Sequence, residues 1–433
     1  MAIADPDSLP EPSQLSDMAI LGIVAAYAGA FVVFGLAIDG PEAVMRGLIE
    51  IVSTRDALLT DYFGAGGRGA ACVNAGMLTL AACLVYYRCA AKLSGASVAC
   101  LFLVLGFGLF GKNIFNIWFI VLGVFLYCRF AGESFAAHIN TAFFGTALAP
   151  IFSEIAFSTA LPFEIGLPLG AATSTAIGFV LVPAAAQLFK AHMGFSLYNM
   201  GFTAGIIGVL VVALYKSYGF VPDPVMIWTS GNNLLFGGFL LALFLSMALC
   251  GYIIDRNIVA RMRQIMRKSG QAPSDFVSQV GFGPVLVNMS LTGTIGICYV
   301  LLVGGDLNGP VIGAIFTIVG FAAYGKHPRN ILPIMVGVFL GSLAKPWGAA
   351  DPSGLLAALF GTTLAPIAGR FGWHWGIVAG FLHSSAARSV GTVHAGLNLY
   401  NNGFAAGIVA AVLAAVILGI EGRQNRQAPK SDD

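Results

Sequence analysis

Charged side chains are scarce in this sequence. Lysine and arginine number 22 and aspartate and glutamate 20, so charged residues make up 10% of the 433, whereas a soluble globular chain carries about 25%. Such a chain lacks the polar surface that would cover a folded domain in water. Hydrophobic residues make up 58%, and apolar runs near the roughly 20 residues that cross a bilayer recur throughout. The composition excludes an ordinary soluble domain and predicts an all-α integral membrane protein.

Motifs for enzymatic chemistry are also absent. The sequence contains no HExxH, GxSxG or P-loop motif, and its seven cysteines include no CxxC pair or Cys/His cluster with metal-ligand spacing. We therefore expect no enzyme, no catalytic residue, no metal and no cofactor. The net charge of +2 is too small to indicate a nucleic-acid partner. The N-terminal tail has no basic residue, so it is not expected to be a signal peptide.

The sequence does contain an internal duplication, visible as three blocks in the same order. Residues 106–126 match 320–340 at 11 of 21 positions. AFFGTALAPI, from Ala142, matches ALFGTTLAPI, from Ala358, at 8 of 10 positions. HMGFSLYNMGFTAGI, from His192, matches HAGLNLYNNGFAAGI at 10 of 15. The two halves of the chain are therefore homologous.

The positions of the basic residues predict how the halves are oriented. The basic segment 255–268, which is rich in arginine, should be cytoplasmic by the positive-inside rule. In the second half the turn with Lys326 and Arg329 then lies inside, whereas in the first half the basic turn is the preceding one, 88–92. This exchange of the charge bias predicts two inverted-topology repeats of about seven membrane segments each, with short or interrupted helices at the repeat interface.

This interpretation divides the chain into two membrane repeats flanked by cytoplasmic tails, with a connector between them. The predicted parts are the N-terminal tail 1–17, the first repeat 18–222, the connector 223–231, the second repeat 232–420 and the C-terminal tail 421–433. The predicted location is a prokaryotic inner membrane.

The best candidates for a solute site are the two repeated Phe-Gly-Thr segments, because transporters with inverted repeats often bind solute between interrupted helices. Gly145 and Gly361 permit an unusual backbone, and the following prolines do not continue the helical hydrogen-bond ladder. Thr146 and Thr362 add a hydroxyl at each interruption. The alternative is a kinked span in which each threonine bonds its own backbone.

Amides and lysines in the other repeated blocks are further candidates. Asn199, Asn401 and Asn402 could cap a helix or line a pathway. Lys112 and Lys326 could set the topology from a helix junction, or they could attract an anion.

Three ionisable residues without a counterpart in the other half are also candidates. Arg388 could bind a carboxylate in a forked geometry, or it could form a structural ion pair with Glu164. His383 is a candidate site for a proton or cation in an ion-coupled carrier.

By the blocks FGTALAPI/FGTTLAPI and LYNMGFTAG/LYNNGFAAG, the chain resembles a family of uncharacterised prokaryotic multi-pass membrane proteins over almost its full length. The function of that family is unknown, so the resemblance implies no substrate. The chain is more faintly similar to urea transporters, which also pair inverted halves around short embedded helices, although their proline-rich pore signature is absent.

We expect a transporter or channel for a small polar solute, neutral or anionic, that binds between the repeats. A passive urea- or amide-type channel is one alternative, and a non-transporting scaffold or sensor subunit is an alternative of another class. The expected partners are the lipid bilayer, the solute and, for a carrier, a coupling ion (H+ or Na+). Assembly as a homo-oligomer is left open.

Overall fold

The structure is a computed structural model that describes residues 11–427, with side chains through Arg423. Residues 1–10 and 428–433, which hold much of the two predicted tails, lie outside the described residues. The described chain is helical, and its only β-type pairings are two isolated bridges.

Each half of the described chain contributes seven membrane segments, if each interrupted helix is counted once. The first-half helices are α1 (Asp17–Ser53), α2 (Tyr62–Ala65), α3 (Arg68–Arg88), α4 (Gly95–Phe107), α5 (Trp118–Ala131), α6 (Phe135–Gly145), α7 (Ala149–Ala156), α8 (Phe163–His192) and α9 (Asn199–Ser217). The second-half helices are α10 (Asn233–Ile254), α11 (Ile258–Arg267), α12 (Phe276–Val280), α13 (Phe282–Leu302), α14 (Gly309–Phe321), α15 (Pro328–Leu343), α16 (Pro352–Phe360), α17 (Ala365–Phe371), α18 (Trp373–Val390) and α19 (Asn401–Gln427).

Length and hydropathy are consistent with a multi-pass membrane protein. Within the described residues, nine helical segments are long and apolar enough to cross a bilayer, counting α6–α7 and α16–α17 as one segment each. Four shorter apolar helices, α4, α5, α14 and α15, have 13 to 16 residues, and α18, with 18 residues, is the remaining one of the fourteen segments. The chain is therefore an all-α membrane protein, as the composition predicts.

The two short helices α4 and α14 pack against each other in opposite directions. A Cβ atom at Gly106 would lie 2.8 Å from the backbone oxygen of Gly313, and one at Gly320 would lie 3.0 Å from that of Ala99. These contacts are equivalent under the shift of 214 positions that aligns the halves. Homologous helices that pack antiparallel are related by a two-fold axis perpendicular to them. For helices that cross a bilayer this axis lies in the membrane plane, which confirms the prediction of inverted repeats.

The first turns of α9 and α19 are also equivalent helical segments in contact with each other. A Cβ atom at Gly201 would lie 2.9 Å from the Cα of Gly403, so the two backbones touch. Farther along, Gly205 lies against Phe404, and Gly407 lies against Phe202. Two homologous helices therefore begin beside each other, close to the pseudo-two-fold axis.

The short helices bring irregular backbone to membrane depth. At about 1.5 Å per residue, the 13 residues of α4 extend about 20 Å, which is less than the roughly 30 Å hydrocarbon core. The following segment, residues 108–117, is irregular and mostly buried. Irregular backbone at this depth requires protein or a water-filled cavity around it, so this part of the interface between the repeats is where a polar site can form.

Candidate functional site

Both Phe-Gly-Thr segments are interrupted helices, as predicted. A 3₁₀ turn, Thr146–Leu148, separates α6 from α7, and a second, Gly361–Leu364, separates α16 from α17. The expectation of an unusual backbone at the two glycines is wrong, because Gly145 (φ −61°, ψ −23°) and Gly361 (φ −57°, ψ −21°) are ordinary right-handed residues. Their small size is needed for packing instead.

Side chains from the neighbouring long helix occupy the space beside each glycine. A Cβ atom at Gly145 would lie 2.6 Å from Leu181 of α8. At Gly361 it would lie 2.7 Å from the imidazole of His383 of α18. Leu181 and His383 are equivalent positions of the two repeats, so His383 takes the place of an apolar packing residue.

Each 3₁₀ turn receives a hydrogen bond from the other repeat. The backbone N–H of Leu399 donates to the carbonyl of Ala147 at 3.0 Å, and that of Leu197 donates to the carbonyl of Thr363 at 3.1 Å. The donors lie in the loops that precede α19 and α9. These crossed bonds fix the loops at the repeat interface, and the next residue in each loop is a tyrosine, Tyr400 or Tyr198.

The two tyrosines contact two lysines, Lys112 and Lys326, across the repeat boundary. These lysines occupy equivalent positions in the two repeats. The ammonium of Lys112 in the first repeat donates to the hydroxyl of Tyr400 in the second at 3.1 Å. The ammonium of Lys326 donates to the hydroxyl of Tyr198 and, at 2.8 Å, to that of Thr362. The core of the interface therefore contains two crossed Lys–Tyr pairs related by the pseudo-symmetry.

Both lysines are completely buried, at 0% exposed. They contact aromatic faces, with the Nζ of Lys112 5.0 Å from the ring of Phe107 and that of Lys326 5.4 Å from the ring of Phe321. No ion pair within the described residues includes either lysine. Burial of an ammonium is costly without a compensating charge, and the snorkelling alternative requires an exposed head group.

The hydroxyls of the two repeated threonines differ in their surroundings. Both bond their own helix, Thr146 to the carbonyl of Phe143 and Thr362 to that of Leu359, at 2.6 Å each. Thr362 also accepts the bond from Lys326. The structure therefore brings Thr362, but not Thr146, into a charged hydrogen-bond network.

A cavity of about 190 Å³ lies beside the crossed pairs and is lined by both Tyr198 and Tyr400. We call it the central cavity. The hydroxyl oxygens of the tyrosines accept bonds from the lysines, and the hydroxyl of Tyr198 also contacts that of Thr362. Much of its wall is aromatic, formed by Phe107, Phe144, Phe189, Phe321, Phe360 and Tyr324. Polar groups come from Asn140, Thr141, Ser196, Asn199 and Thr317.

A second cavity, of about 210 Å³, is the pseudo-symmetric counterpart of part of the central cavity. Its lining includes Ala387 and Asn401, whose equivalents Ala185 and Asn199 line the central cavity. Because the repeats are inverted, the two cavities lie toward opposite faces. The second cavity is not lined by Tyr198, Tyr400 or any of the central phenylalanines, so it stops short of the crossed pairs.

Arg388 lines the second cavity and does not pair with Glu164. Its guanidinium donates to the hydroxyl of Ser353 and lies 4.6 Å from the centre of the Trp347 ring. Glu164 is exposed in the first turn of α8 and lines neither cavity. The structure brings Arg388, but not Glu164, to a candidate pathway.

The repeated asparagines join helices and also line the cavities. The side-chain oxygen of Asn199 lies 3.1 Å from His192 Nε2, and its amide donates to the carbonyl of Ala185 at 3.1 Å. Asn401 makes the equivalent contacts at 3.0 and 2.8 Å. Each amide thus connects the long helix to the next one while facing a cavity.

Asn402 and His383 form a polar pair that only the second repeat contains. The side-chain oxygen of Asn402 lies 3.1 Å from His383 Nε2, and both residues are buried. The equivalent residues of the first repeat, Met200 and Leu181, are apolar. The asymmetry predicted for His383 therefore extends to its partner, which lines the second cavity.

Asp56, whose carboxylate is 0% exposed, was not among the predicted site residues. It lies between α1 and α2 and accepts hydrogen bonds from Tyr62, Ser153 and Asn116 at 2.8, 2.7 and 2.9 Å. Asn116 belongs to the repeated block 106–126, as Lys112 does, so this block connects Asp56 to the segment that carries Lys112.

Comparison with known proteins identifies the family but no relative of known activity. A family model described as "Protein of unknown function (DUF1576)" matches residues 40–217 and 254–418, one segment in each repeat. No curated protein and no solved structure matches the chain significantly, so the similarity to urea transporters remains a prediction. The chain belongs to the family of proteins of unknown function DUF1576.

Proposed function

We propose that this chain is a membrane transporter for a small organic anion, which binds in the central cavity between the inverted repeats. The observation that carries the proposal is the crossed arrangement of Lys112 with Tyr400 and Lys326 with Tyr198. Neither buried lysine has a counter-charge among the described residues, and each bonds a tyrosine that lines the central cavity, so an anion there would supply the charge that an ammonium needs. An anion entering that cavity would be attracted by both lysines.

The walls of the central cavity favour an organic anion over an inorganic one. Aromatic rings from both repeats line it, and such surfaces bind the apolar part of a ligand while a few polar groups orient it. A planar carboxylate such as benzoate satisfies both requirements. Phosphate and sulfate would leave the aromatic walls without a partner.

The separation of the two cavities favours a carrier over an open pore. Residues of the crossed pairs line only the central cavity, and Arg388 with Trp347 lies at the second cavity on the opposite face. A channel requires a path that is continuous at some moment, whereas a carrier exposes one side at a time. Arg388 is then a residue that an anion would meet on the opposite face.

The positive-inside rule supports cytoplasmic termini, and the proposed location is a prokaryotic cell membrane. Ala272, which lies close to the basic segment 255–268, lines the central cavity. This orientation therefore places that cavity toward the cytoplasm. Transport, rather than catalysis, is the activity proposed.

The test is uptake of labelled solutes by proteoliposomes that contain the purified protein. We expect uptake of benzoate to exceed that of phosphate and urea. Lys112→Met and Lys326→Met should each lower benzoate uptake about 10-fold or more, because a hydrogen bond to a charged group contributes about 1.5–3 kcal/mol. Lys92→Met, at an exposed lysine, is the matched control and should leave uptake unchanged.

Two outcomes would contradict the proposal. Faster uptake of urea than of benzoate, with no effect of the lysine variants, would favour a passive amide-type channel. No uptake of any of the solutes by the folded protein would favour a non-transporting scaffold or sensor subunit.

A further inference from the structure

The buried carboxylate of Asp56 is held entirely by neutral donors. Besides the hydroxyls of Tyr62 and Ser153 and the amide of Asn116, the amide of Asn113 approaches it at 3.4 Å. No ion pair within the described part of the chain includes Asp56. A carboxylate in this environment can gain a proton without leaving a buried cation unpaired.

The charged and titratable groups around Asp56 do not neutralise it. Arg55, the preceding residue, turns away and pairs with Asp223 at 3.5 Å. Glu154, which follows Ser153 on α7, adds a second negative charge nearby, and Tyr62 contributes only its phenol. Burial is the main reason why the pKa of Asp56 is raised to about 7, and Glu154 raises it further.

The surrounding amides present nitrogen, not oxygen, to the carboxylate. The side-chain oxygen of Asn113 accepts from the backbone N–H groups of Phe115 and Asn116, at 3.0 and 2.9 Å. The side-chain oxygen of Asn116 accepts from the backbone N–H of Asn113 at 2.9 Å. Sodium and other hard cations require several oxygen ligands, and the two amides offer none at Asp56. The ligand that fits Asp56 is a proton.

Protonation of Asp56 would change the hydrogen bonds of a segment that reaches the solute site. An ionised carboxylate accepts bonds at about four positions, whereas a protonated one accepts fewer and donates one. Protonation therefore releases at least one of the four donors, two of which, Asn113 and Asn116, lie on the segment that begins with Lys112. Since Asn113 directly follows Lys112, we expect release of this segment to move the lysine relative to Tyr400.

The second repeat has no equivalent proton site. Gly270 stands at the position that corresponds to Asp56, and a Cβ atom there would lie 3.0 Å from the amide nitrogen of Asn330. The position equivalent to Ser153 is Gly369, which packs on the backbone of Ser269. A titratable group in only one of two inverted repeats acts on one side of the pseudo-symmetry.

We propose that Asp56 is the coupling site of a proton–anion symporter, and this inference rests on the proposed function. Asp56 takes up one proton from the face of the second cavity, whose lining includes the nearby Leu58 and Leu59. It releases the proton toward the face of the central cavity. One proton and one monovalent anion cross together, so no net charge moves.

The proton site can be tested without any solute. Infrared difference spectra of the purified protein between pH 5 and pH 9 should show the C=O stretch of a protonated carboxyl that titrates near pH 7. The band should be absent in Asp56→Asn and unchanged in Glu164→Gln, the matched control at an exposed carboxylate. Ser153→Ala keeps the carboxylate and removes one donor, so it should move the midpoint to higher pH. No such band in the wild type would overturn the proposal, and Ser153→Ala keeps the test available if Asp56→Asn does not fold.

The coupling itself is tested in proteoliposomes with labelled benzoate. An inward proton gradient should raise accumulation at least 5-fold in the wild type and in Glu164→Gln. Asp56→Asn should lose this stimulation but still exchange internal for external benzoate. Accumulation that ignores the gradient in the wild type, or stimulation that persists in Asp56→Asn, would overturn the coupling role. No benzoate flux in the wild type would overturn the proposed function and the coupling role, and an infrared band would then assign Asp56 a structural protonation only.

Discussion

The carboxylate of Asp61 in the first repeat accepts a hydrogen bond from the backbone N–H of Gly309 in the second, at 3.1 Å. The equivalent bond, from Gly95 to Asp275, runs in the other direction across the boundary at 2.9 Å. Gly309 and Gly95 are the first residues of α14 and α4. Each repeat therefore caps the buried N-terminus of the other's short helix.

Removal of either capping charge should destabilise the whole protein. A side chain that caps a helix contributes about 1 kcal/mol, and a bond to a charged group contributes more. We expect Asp61→Asn and Asp275→Asn each to lower the free energy of unfolding by about 1–3 kcal/mol. Thermal unfolding in detergent measures the change.

Glu42→Gln serves as the control for these two variants. Glu42 forms an exposed helical ion pair with Arg46, and such pairs contribute at most a few tenths of a kcal/mol. Unfolding temperatures for the two aspartate variants that equal that of Glu42→Gln would contradict the capping role.

The two repeated threonines form a natural matched pair for a transport measurement. Thr362→Val removes an acceptor of Lys326, whereas Thr146→Val removes only a bond to its own helix. We expect Thr362→Val to lower benzoate uptake about 10-fold, since 1.4 kcal/mol corresponds to a factor of ten. Thr146→Val should stay within about twofold of the wild type. Equal effects of the two substitutions would contradict a role of the Lys326–Thr362 bond in benzoate uptake.

The polar pair of the second repeat can be exchanged for the apolar pair of the first. His383→Leu leaves the oxygen of Asn402 without its partner, and Asn402→Met does the same to the imidazole. A buried polar group that loses its partner costs about 1–3 kcal/mol. We expect each single variant to lose that much stability and the double variant to recover most of it, as measured by unfolding in a double-mutant cycle. Additive losses would show that the two side chains are not coupled.

The stability of the protein should depend on pH through Asp56, which lies in the connection between α1 and α2. Burial raises its pKa from 3.8 to about 7. Between these values the native state holds a proton that the unfolded state releases, so the free energy of unfolding falls as the pH rises from about 4 to about 7. Asp56→Asn does not titrate, and its unfolding temperature should lose this component of the pH dependence. A pH profile identical to that of the wild type would contradict the shift.

The inverted fold could be predicted from the sequence because both halves of the chain contain the same blocks. The repeated blocks identify equivalent residues, and the basic residues of 88–92 in the first half, against Lys326 and Arg329 in the second, distinguish inverted from parallel halves. The crossing of the pairs could not be predicted, because alignment of Lys112 with Lys326 does not show which tyrosine each lysine contacts. That choice depends on the loops that pass over the opposite 3₁₀ turn.

Asp56 could not be found by the same reasoning. It aligns with Gly270, so self-comparison gives no signal, and it lies in a polar stretch that hydropathy places outside the membrane. Only the packing of Tyr62 and α7 against this stretch shows that the carboxylate is enclosed. His383 was predicted because it departs from the repeat within a membrane segment.

The contact between Gly201 and Gly403 at the starts of α9 and α19 has a consequence for motion. Because the contact joins equivalent glycines of homologous helices, it is the same from the side of either repeat and is kept if the two repeats exchange their conformations. A second conformation follows if the halves exchange their present shapes. The first repeat then adopts the arrangement of the second, and the cavity that reaches the crossed pairs opens toward the face of Arg388. Lys112 and Lys326 exchange their surroundings, and both stay buried.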